Sequence, residues 1–238
     1  MRVLDLFSGI GGFSLGLERA GMQTVAFCEI EPFNRAVLSK HWPRVPCHDD
    51  VRTLKGPMYP ADLICGGFPC QDISSAGKRA GIEGEQSGLW REYARVISEV
   101  RPRYVIVENV AALIHRGLGR VLGDLAALGY DAEWHCIPAS YVGAPHNRDR
   151  IWIVAYPKRN EQSRQEPRLG ALGRMGREQQ SVPWNRTWQD TLAALRGMDD
   201  GICRSVDRTD ALRNAVVPQV AEAIGRAIME WENAAIAA

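Results

Sequence analysis

The chain has almost no net charge, no paired cysteine spacing, no internal repeat and no low-complexity tract. Each of these shortages removes a class of protein. Its 29 Lys and Arg residues nearly balance 28 Asp and Glu residues, for a formal net charge of +1, so bulk charge alone names no partner. The six cysteines, Cys28, Cys47, Cys65, Cys70, Cys136 and Cys203, include no C-x-x-C pair. Cys47-His48 and His135-Cys136 are adjacent pairs without the C-x-x-C or H-x-x-x-H spacing that gathers ligands round a zinc ion, and no metal is expected. Strand-like residues begin at Arg2, so no signal peptide is expected, and with this cysteine usage the expected setting is a reducing cytoplasm. With 45% hydrophobic and 24% charged residues, the composition is that of a soluble globular protein and excludes a disordered or membrane chain. At 238 residues there is room for one large α/β domain, alone or with a small insert, and not for two full-sized domains.

Over the first two-thirds, short β-branched runs alternate with amphipathic stretches. This pattern predicts a mostly parallel, doubly wound sheet with helices on both faces. The expected strands cover residues 3–6, 24–28, 47–51, 63–65, 104–107, 133–137 and 151–155. Between residues 117 and 128, Leu118, Val121, Leu122, Leu125 and Leu128 recur at helical spacing before Gly129, a left-handed stop. Pro32 suits the first turn of a helix through Phe33, Ala36, Val37 and His41. After Tyr156 the pattern breaks. Residues 157–188 are rich in Gly, Gln, Arg, Pro and Trp and carry seven basic side chains, with four acidic residues up to Asp190. Such a stretch reads either as a solvated loop or as a nucleic-acid contact surface. Periodicity returns after Asn214, where Val216, Val220, Ala223, Ile224 and Ala227 predict a final helix over residues 215–231.

Two strand ends carry the chemistry. The apolar run ending at Cys65 leads into Gly67-Phe68-Pro69-Cys70-Gln71, which puts a thiol in a turn at the carboxyl edge of the sheet, where ligand crevices form in open α/β folds. A thiol there is a nucleophile once its proton is removed. A second run ends in Glu108-Asn109-Val110 and brings a carboxyl group to the same edge. At a third strand end, Asp5-Leu6-Phe7-Ser8-Gly9-Ile10-Gly11-Gly12 opens a helix ended by Gly21. Glycines at such a turn let backbone approach a nucleotide-like ligand beside free helix N–H groups. Ser14 occupies the third glycine position of G-x-G-x-x-G, so the dinucleotide fingerprint is not met. Glu29, 18 residues beyond Gly11, is placed to accept from ribose hydroxyls, and Asp50 from an adenine amino group. The turn and its two acidic strand ends favour an adenosine-containing ligand.

Taken in order, Asp5–Gly12, Gly66-Gly67-Phe68-Pro69-Cys70-Gln71, Ser87-Gly88-Leu89-Trp90, Glu108-Asn109-Val110, Arg148-Asp149-Arg150 and Asn214-Ala215-Val216-Val217-Pro218 resemble the motif series of DNA cytosine-5 methyltransferases, of the compact kind found in bacteria and phages. The resemblance covers residues 1–156 and again 207–228. It implies a discontinuous catalytic and cofactor-binding domain over 1–156 and 207–238, interrupted by a reduced target-recognition insert over 157–206. The cofactor implied is S-adenosylmethionine. By the same resemblance Phe7, Gly9 and Gly11 line its methionine end, Glu29 and Ile30 its ribose and adenine, Asp50 and Val51 the adenine edge, and Leu89 the outer wall. Pro69 belongs to the same pocket, which Asn214 and Val216 close from the far end of the chain.

The implied reaction adds Cys70 to carbon 6 of a flipped cytosine, with Glu108 holding a proton for ring N3 and Asn109 orienting the loop beside it. Arg148 and Arg150 contact the base carbonyl or a phosphate. Residues 74–88, with Gly77, Gly81, Gly84 and Gly88, resemble the lid that closes over the base. Double-stranded DNA is the partner implied, together with a partner chain or a cognate restriction endonuclease of the same system, and no membrane. Two positions depart from the family pattern: Arg213 stands where glycine is usual and His146 where glutamine is usual. Cytosine-5 methylation of RNA is an alternative, as is a non-catalytic DNA-binding or regulatory module or one half of a two-chain enzyme.

Overall fold

In a computed structural model, the described residues are 1–69, 88–142, 148–158 and 215–237. Cys70, His146, Arg213, Asn214, residues 74–87 of the lid-like segment and the basic stretch from residue 159 therefore lie outside them. Seven strands form one sheet in the order β3-β2-β1-β4-β5-β7-β6. They are β1 (Arg2–Leu6), β2 (Gln23–Cys28), β3 (Cys47–His48), β4 (Leu63–Gly66), β5 (Tyr104–Val110), β6 (Tyr130–Pro138) and β7 (Asp149–Pro157). The first five run parallel, while β7 lies antiparallel to both β5 and β6. This is the mostly parallel, doubly wound α/β sheet that the strand pattern predicts.

The helices are α1 (Gly12–Arg19), α2 (Pro32–His41), α3 (Leu89–Val100), α4 (Leu113–Arg116), α5 (Leu118–Ala127) and a C-terminal helix, Pro218–Ala237. One face of the sheet packs Leu4, Leu6, Ile64, Val105 and Val107 against Tyr93, Val96 and Ile97 of α3 and Val121 and Leu125 of α5. The other packs Val3, Leu63, Cys65, Ile106 and Trp152 against Phe13 and Leu17 of α1 and Val220, Ile224 and Ile228 of the C-terminal helix. Strand periodicity makes this division, since successive side chains alternate between faces.

Several bounds differ from those expected. Strand β3 stops at His48 rather than reaching Val51, because Asp50 turns the chain: its carbonyl accepts from the N–H groups of Thr53 and Leu54. In α2 the buried residue is Leu38, while Ala36 and His41 are exposed. The C-terminal helix begins at Pro218, leaving Ala215 to Val217 as an approach segment. That segment reaches the amino end of α1, where a Cβ on Gly12 would lie 2.5 Å from the Val216 carbonyl oxygen. Near the other end of this packing, a Cβ on Gly225 would lie 2.8 Å from Ala20 and 2.9 Å from Leu17. The two helices therefore meet almost backbone to backbone.

Candidate active site

The carboxyl ends of β1, β2, β4 and β5 form one rim of the sheet, because these strands are parallel neighbours. At β1 the chain enters a tight turn in which Phe7, Gly9 and Gly11 all have positive φ, at 53°, 54° and 86°. A side chain at Gly9 would meet nothing within 4 Å, so the backbone there is open to a close ligand. The Gly9 N–H donates to Glu29 Oε2 at 2.6 Å, and the Glu31 N–H donates to Glu29 Oε1 at 2.8 Å. Glu29 thus fastens the glycine turn to the end of β2. Each of its oxygens keeps a lone pair for a further donor. Ile30 beside it is 55% exposed, an unusual setting for a large aliphatic residue at a strand end and one that suits the face of a planar ring.

The second acidic strand end is engaged locally. Asp50 accepts from Arg52 Nε at 3.0 Å and Nη2 at 2.8 Å, and from the Arg52 N–H at 2.9 Å. These bonds, led by the Arg52 side chain, hold its carboxyl below the usual range. Buried Val51 is tied to α3 through its carbonyl, which accepts from Arg95 Nη2 at 2.8 Å. Leu89 opens α3 half-buried, and Pro69 and Val216 are half-buried too.

Glu108 and Arg150 meet across β5 and β7. Glu108 pairs with Trp152 and Val110 with Arg150, so Glu108 and Arg150 are diagonal neighbours on one face of the sheet. Arg150 Nε lies 2.9 Å from Glu108 Oε1. Burial pushes the Glu108 carboxyl up, opposed by the nearby Arg150 and Arg148 guanidinium groups, and the net direction is upward. A narrow pocket beside Glu108 is lined by Arg148, Arg150, Trp152, Ala215 and Val217, among others. Next to Glu108, Asn109 bridges the two strand ends: its Nδ2 donates to the Phe68 carbonyl at 3.0 Å, and its Oδ1 accepts from the Val110 N–H at 2.9 Å. Phe68, buried, packs on Trp90 with ring centroids 5.5 Å apart.

The expected residues therefore fall into two clusters. Phe7, Gly9, Glu29 and Ile30 form one around the β1 turn, while Glu108, Arg148 and Arg150 form the other at β5 and β7, with Val216 and the approach segment between. Gly11 turns its α-carbon toward Trp42, whose ring would lie 2.6 Å from a Cβ there, and its N–H is taken by the Ser8 carbonyl at 2.9 Å. Its contribution to the site is the shape of the turn. Trp42 was not foreseen: its Nε1 donates to Glu18 Oε2 at 2.9 Å and its ring packs on Phe27 at 5.4 Å. No sequence period links it to Gly11.

A glycine turn, an acidic second strand end and a buried Glu–Arg pair thus lie on one sheet of this strand order. The family model for C-5 cytosine-specific DNA methylases matches residues 1–198, and the chain belongs to that family. The matched span takes in residues 157–198, which the motif resemblance leaves out, and ends before Asn214. The type II methyltransferase M2.BsuMI of Bacillus subtilis is 37% identical over 163 residues, covering 65% of this chain and 42% of its own length. M.NgoBV of Neisseria gonorrhoeae is 32% identical over 206 residues, covering 77% and 49%. The crystal structure of the S. pombe Dnmt2 methyltransferase matches with a TM-score of 0.61 at 20% identity, over 85% of this chain and 68% of that one, a likeness of fold. The chain thus spans less than half the length of these two curated relatives.

Proposed function

We propose that this protein transfers a methyl group from S-adenosylmethionine to carbon 5 of cytosine in double-stranded DNA. The observation that carries the reading is the buried Glu108 carboxylate, held by Arg150 at 2.9 Å beside the loop that leads to Cys70. The cofactor would rest on the Phe7–Gly11 turn, with Glu29 and Ile30 toward ribose and adenine, Asp50 and Val51 at the adenine edge, and Pro69, Leu89, Asn214 and Val216 completing the pocket. The open space at Gly9 and the exposed face of Ile30 fit such a group. Bound there, S-adenosylmethionine supplies an electrophilic methyl on a sulfonium.

Carbon 5 of cytosine is too weak a nucleophile to accept that methyl unaided. In the proposed step the Cys70 thiolate forms a bond to carbon 6, and the electron pair displaced from the 5,6 double bond is delivered to carbon 5 as Glu108 gives its proton to ring N3. Burial keeps Glu108 more readily protonated than an exposed carboxyl. Arg150 steadies the carboxylate that remains, and Arg148 adds positive charge beside it. Once carbon 5 carries the methyl, loss of its remaining proton restores the 5,6 double bond and expels the Cys70 thiolate, while ring N3 returns its proton to the Glu108 carboxylate. The base must leave the duplex to reach these groups, at a cost of a few kcal/mol. The pocket beside Glu108 has only 10 Å³ of free volume, so its walls must part to admit a ring. Residues 157–206, with their excess of basic side chains, are proposed as a reduced target-reading segment.

Labelled methyl transfer to unmethylated duplex DNA and to RNA, compared between the native protein and Cys70→Ala, tests the proposal. Label in DNA that disappears with Cys70→Ala supports it. Label confined to RNA would reassign the substrate, and none on either polymer from folded, cofactor-binding protein would leave a non-catalytic module.

A further inference from the structure

We infer that Gly67 is a positioning residue for Glu108, the space left by its missing side chain being the seat of the Glu108 carboxylate. The inference rests on the role proposed for Glu108. A Cβ on Gly67 would lie 2.6 Å from Glu108 Oε2 and 3.8 Å from its Cδ, whereas Cβ atoms essentially never approach within 3.0 Å. The next contact, 3.5 Å from the Glu108 carbonyl oxygen, is ordinary. Among the described residues the glycines with positive φ are Gly9, Gly11, Gly21 and Gly129, so the backbone at Gly67 does not itself demand glycine. What excludes a side chain there is the carboxylate.

The loop has little freedom to yield. On one side Gly66 is paired in the sheet with Leu6 and with Val107. On the other, the Phe68 carbonyl is held by Asn109 Nδ2 at 3.0 Å, and the Phe68 ring is buried against Trp90. A methyl at Gly67 would therefore move the carboxylate. Arg150 holds the opposite oxygen, Oε1, at 2.9 Å, so displacing Oε2 also pulls the carboxylate off its guanidinium partner. Gly67 and Arg150 together define the one orientation in which the acid faces the loop leading to Cys70.

A double-mutant cycle tests this. The native protein, Gly67→Ala, Glu108→Ala and the double variant are compared by melting temperature. We expect Gly67→Ala to lower it by more than about 3 °C when Glu108 is present and to leave it nearly unchanged in the Glu108→Ala background, where the methyl enters vacated space. Equal losses in both backgrounds would overturn the inference. So would failure of both Gly67→Ala proteins to fold, whereas a double variant that folds when Gly67→Ala alone does not supports it. In parallel, Gly67→Ala should lower kcat for methyl transfer about 100-fold while cofactor affinity changes less than about twofold. A native protein that transfers no methyl group defeats the proposed activity and leaves the stability cycle readable.

Discussion

Glu108 and Arg150 lie on adjacent antiparallel strands, two residues out of direct register, with Arg150 Nε 2.9 Å from Glu108 Oε1. A buried carboxylate is held charged by such a partner, since burial alone would keep it neutral over a wide pH range. The pair sets up two opposing demands. Burial favours the protonated acid, and Arg150 favours the anion.

Arg150→Gln removes the cation and leaves the burial, so the Glu108 carboxyl should move further up. If Glu108 acts as the acid, the alkaline limb of kcat for methyl transfer should shift to higher pH while kcat itself falls. Glu108→Gln, which carries no titrating proton, should reduce kcat by roughly 10²- to 10⁴-fold and abolish that limb. A pH–rate profile of the three proteins decides it: an unmoved limb in Arg150→Gln shows that the limb belongs to another group.

Glu29 fastens the glycine turn by accepting the N–H groups of Gly9 and Glu31. Glu29→Ala removes both acceptors and should weaken S-adenosylmethionine binding at least 10-fold, because the turn loses its shape as well as any direct bond to the ligand. Thermal stability should fall by about 1–3 kcal/mol. Calorimetric titration with the cofactor and an unfolding curve measure the two effects separately.

The strand cores were readable because β-branched runs bounded by glycine and acidic residues have few other uses, and the glycines at 21 and 129 mark helix ends at φ 90° and 86°. What could not be read locally is what pairing decides. That β7 enters antiparallel between β5 and β6 follows from contacts spread over tens of residues. The short β3 was overextended because Asp50 satisfies backbone N–H groups as readily in a turn as at a strand end. The Pro-Cys and Glu-Asn-Val motifs were legible as motifs, but the nearness of Glu108 to Arg150 depends on register, and its nearness to Gly67 on a Cβ that the sequence does not contain. Trp42 lies against Gly11 through the path of α2, a relation with no local signature.

Asp5 is buried on β1 with its Oδ2 accepting from Ser14 Oγ at 2.7 Å and its Oδ1 without a hydrogen-bond partner. Burial pushes its carboxyl up to about 7 from 3.8. The native state then holds a proton that the unfolded chain releases, so this group's contribution to stability is present at low pH and is lost as pH rises from about 4 to about 7. Asp5→Asn should flatten that slope, gaining on the order of 2–3 kcal/mol relative to native on going from about pH 5 to about pH 8. Urea unfolding at the two pH values checks it, and parallel slopes would refute it.

Asn109 Nδ2 holds the Phe68 carbonyl, and the loop held there leads through Pro69 to Cys70. Asn109→Asp keeps the size and the acceptor for Val110 N–H but replaces the donor with an oxygen that repels the carbonyl. Methyl transfer should drop at least 10-fold, with cofactor affinity falling less, because the β1 turn is untouched and only Pro69 of the proposed pocket moves with the loop. Equal loss of affinity and turnover would place Asn109 in general stability instead.

The C-terminal helix is latched at its far end by Glu232, which is buried and accepts from Tyr104 Oη at 2.8 Å while pairing with Arg103 at the start of β5. At its near end the same helix is preceded by Val216, whose carbonyl abuts Gly12, and by Ala215 and Val217, which line the pocket beside Glu108. The latch is thus joined to the site through one helix packed closely on α1. Glu232→Gln keeps an acceptor for Tyr104 and removes only the charge facing an exposed Arg103, so its effect should stay below about 1 kcal/mol. Glu232→Ala removes the acceptor as well and should lower stability by about 1–3 kcal/mol. If the helix moves as a unit, cofactor affinity should fall in Glu232→Ala and hold in Glu232→Gln, although Glu232 does not line the pocket beside Glu108. Loss of stability in Glu232→Ala with unchanged affinity would mean that the approach segment is held by its own contacts on α1 rather than by the latch.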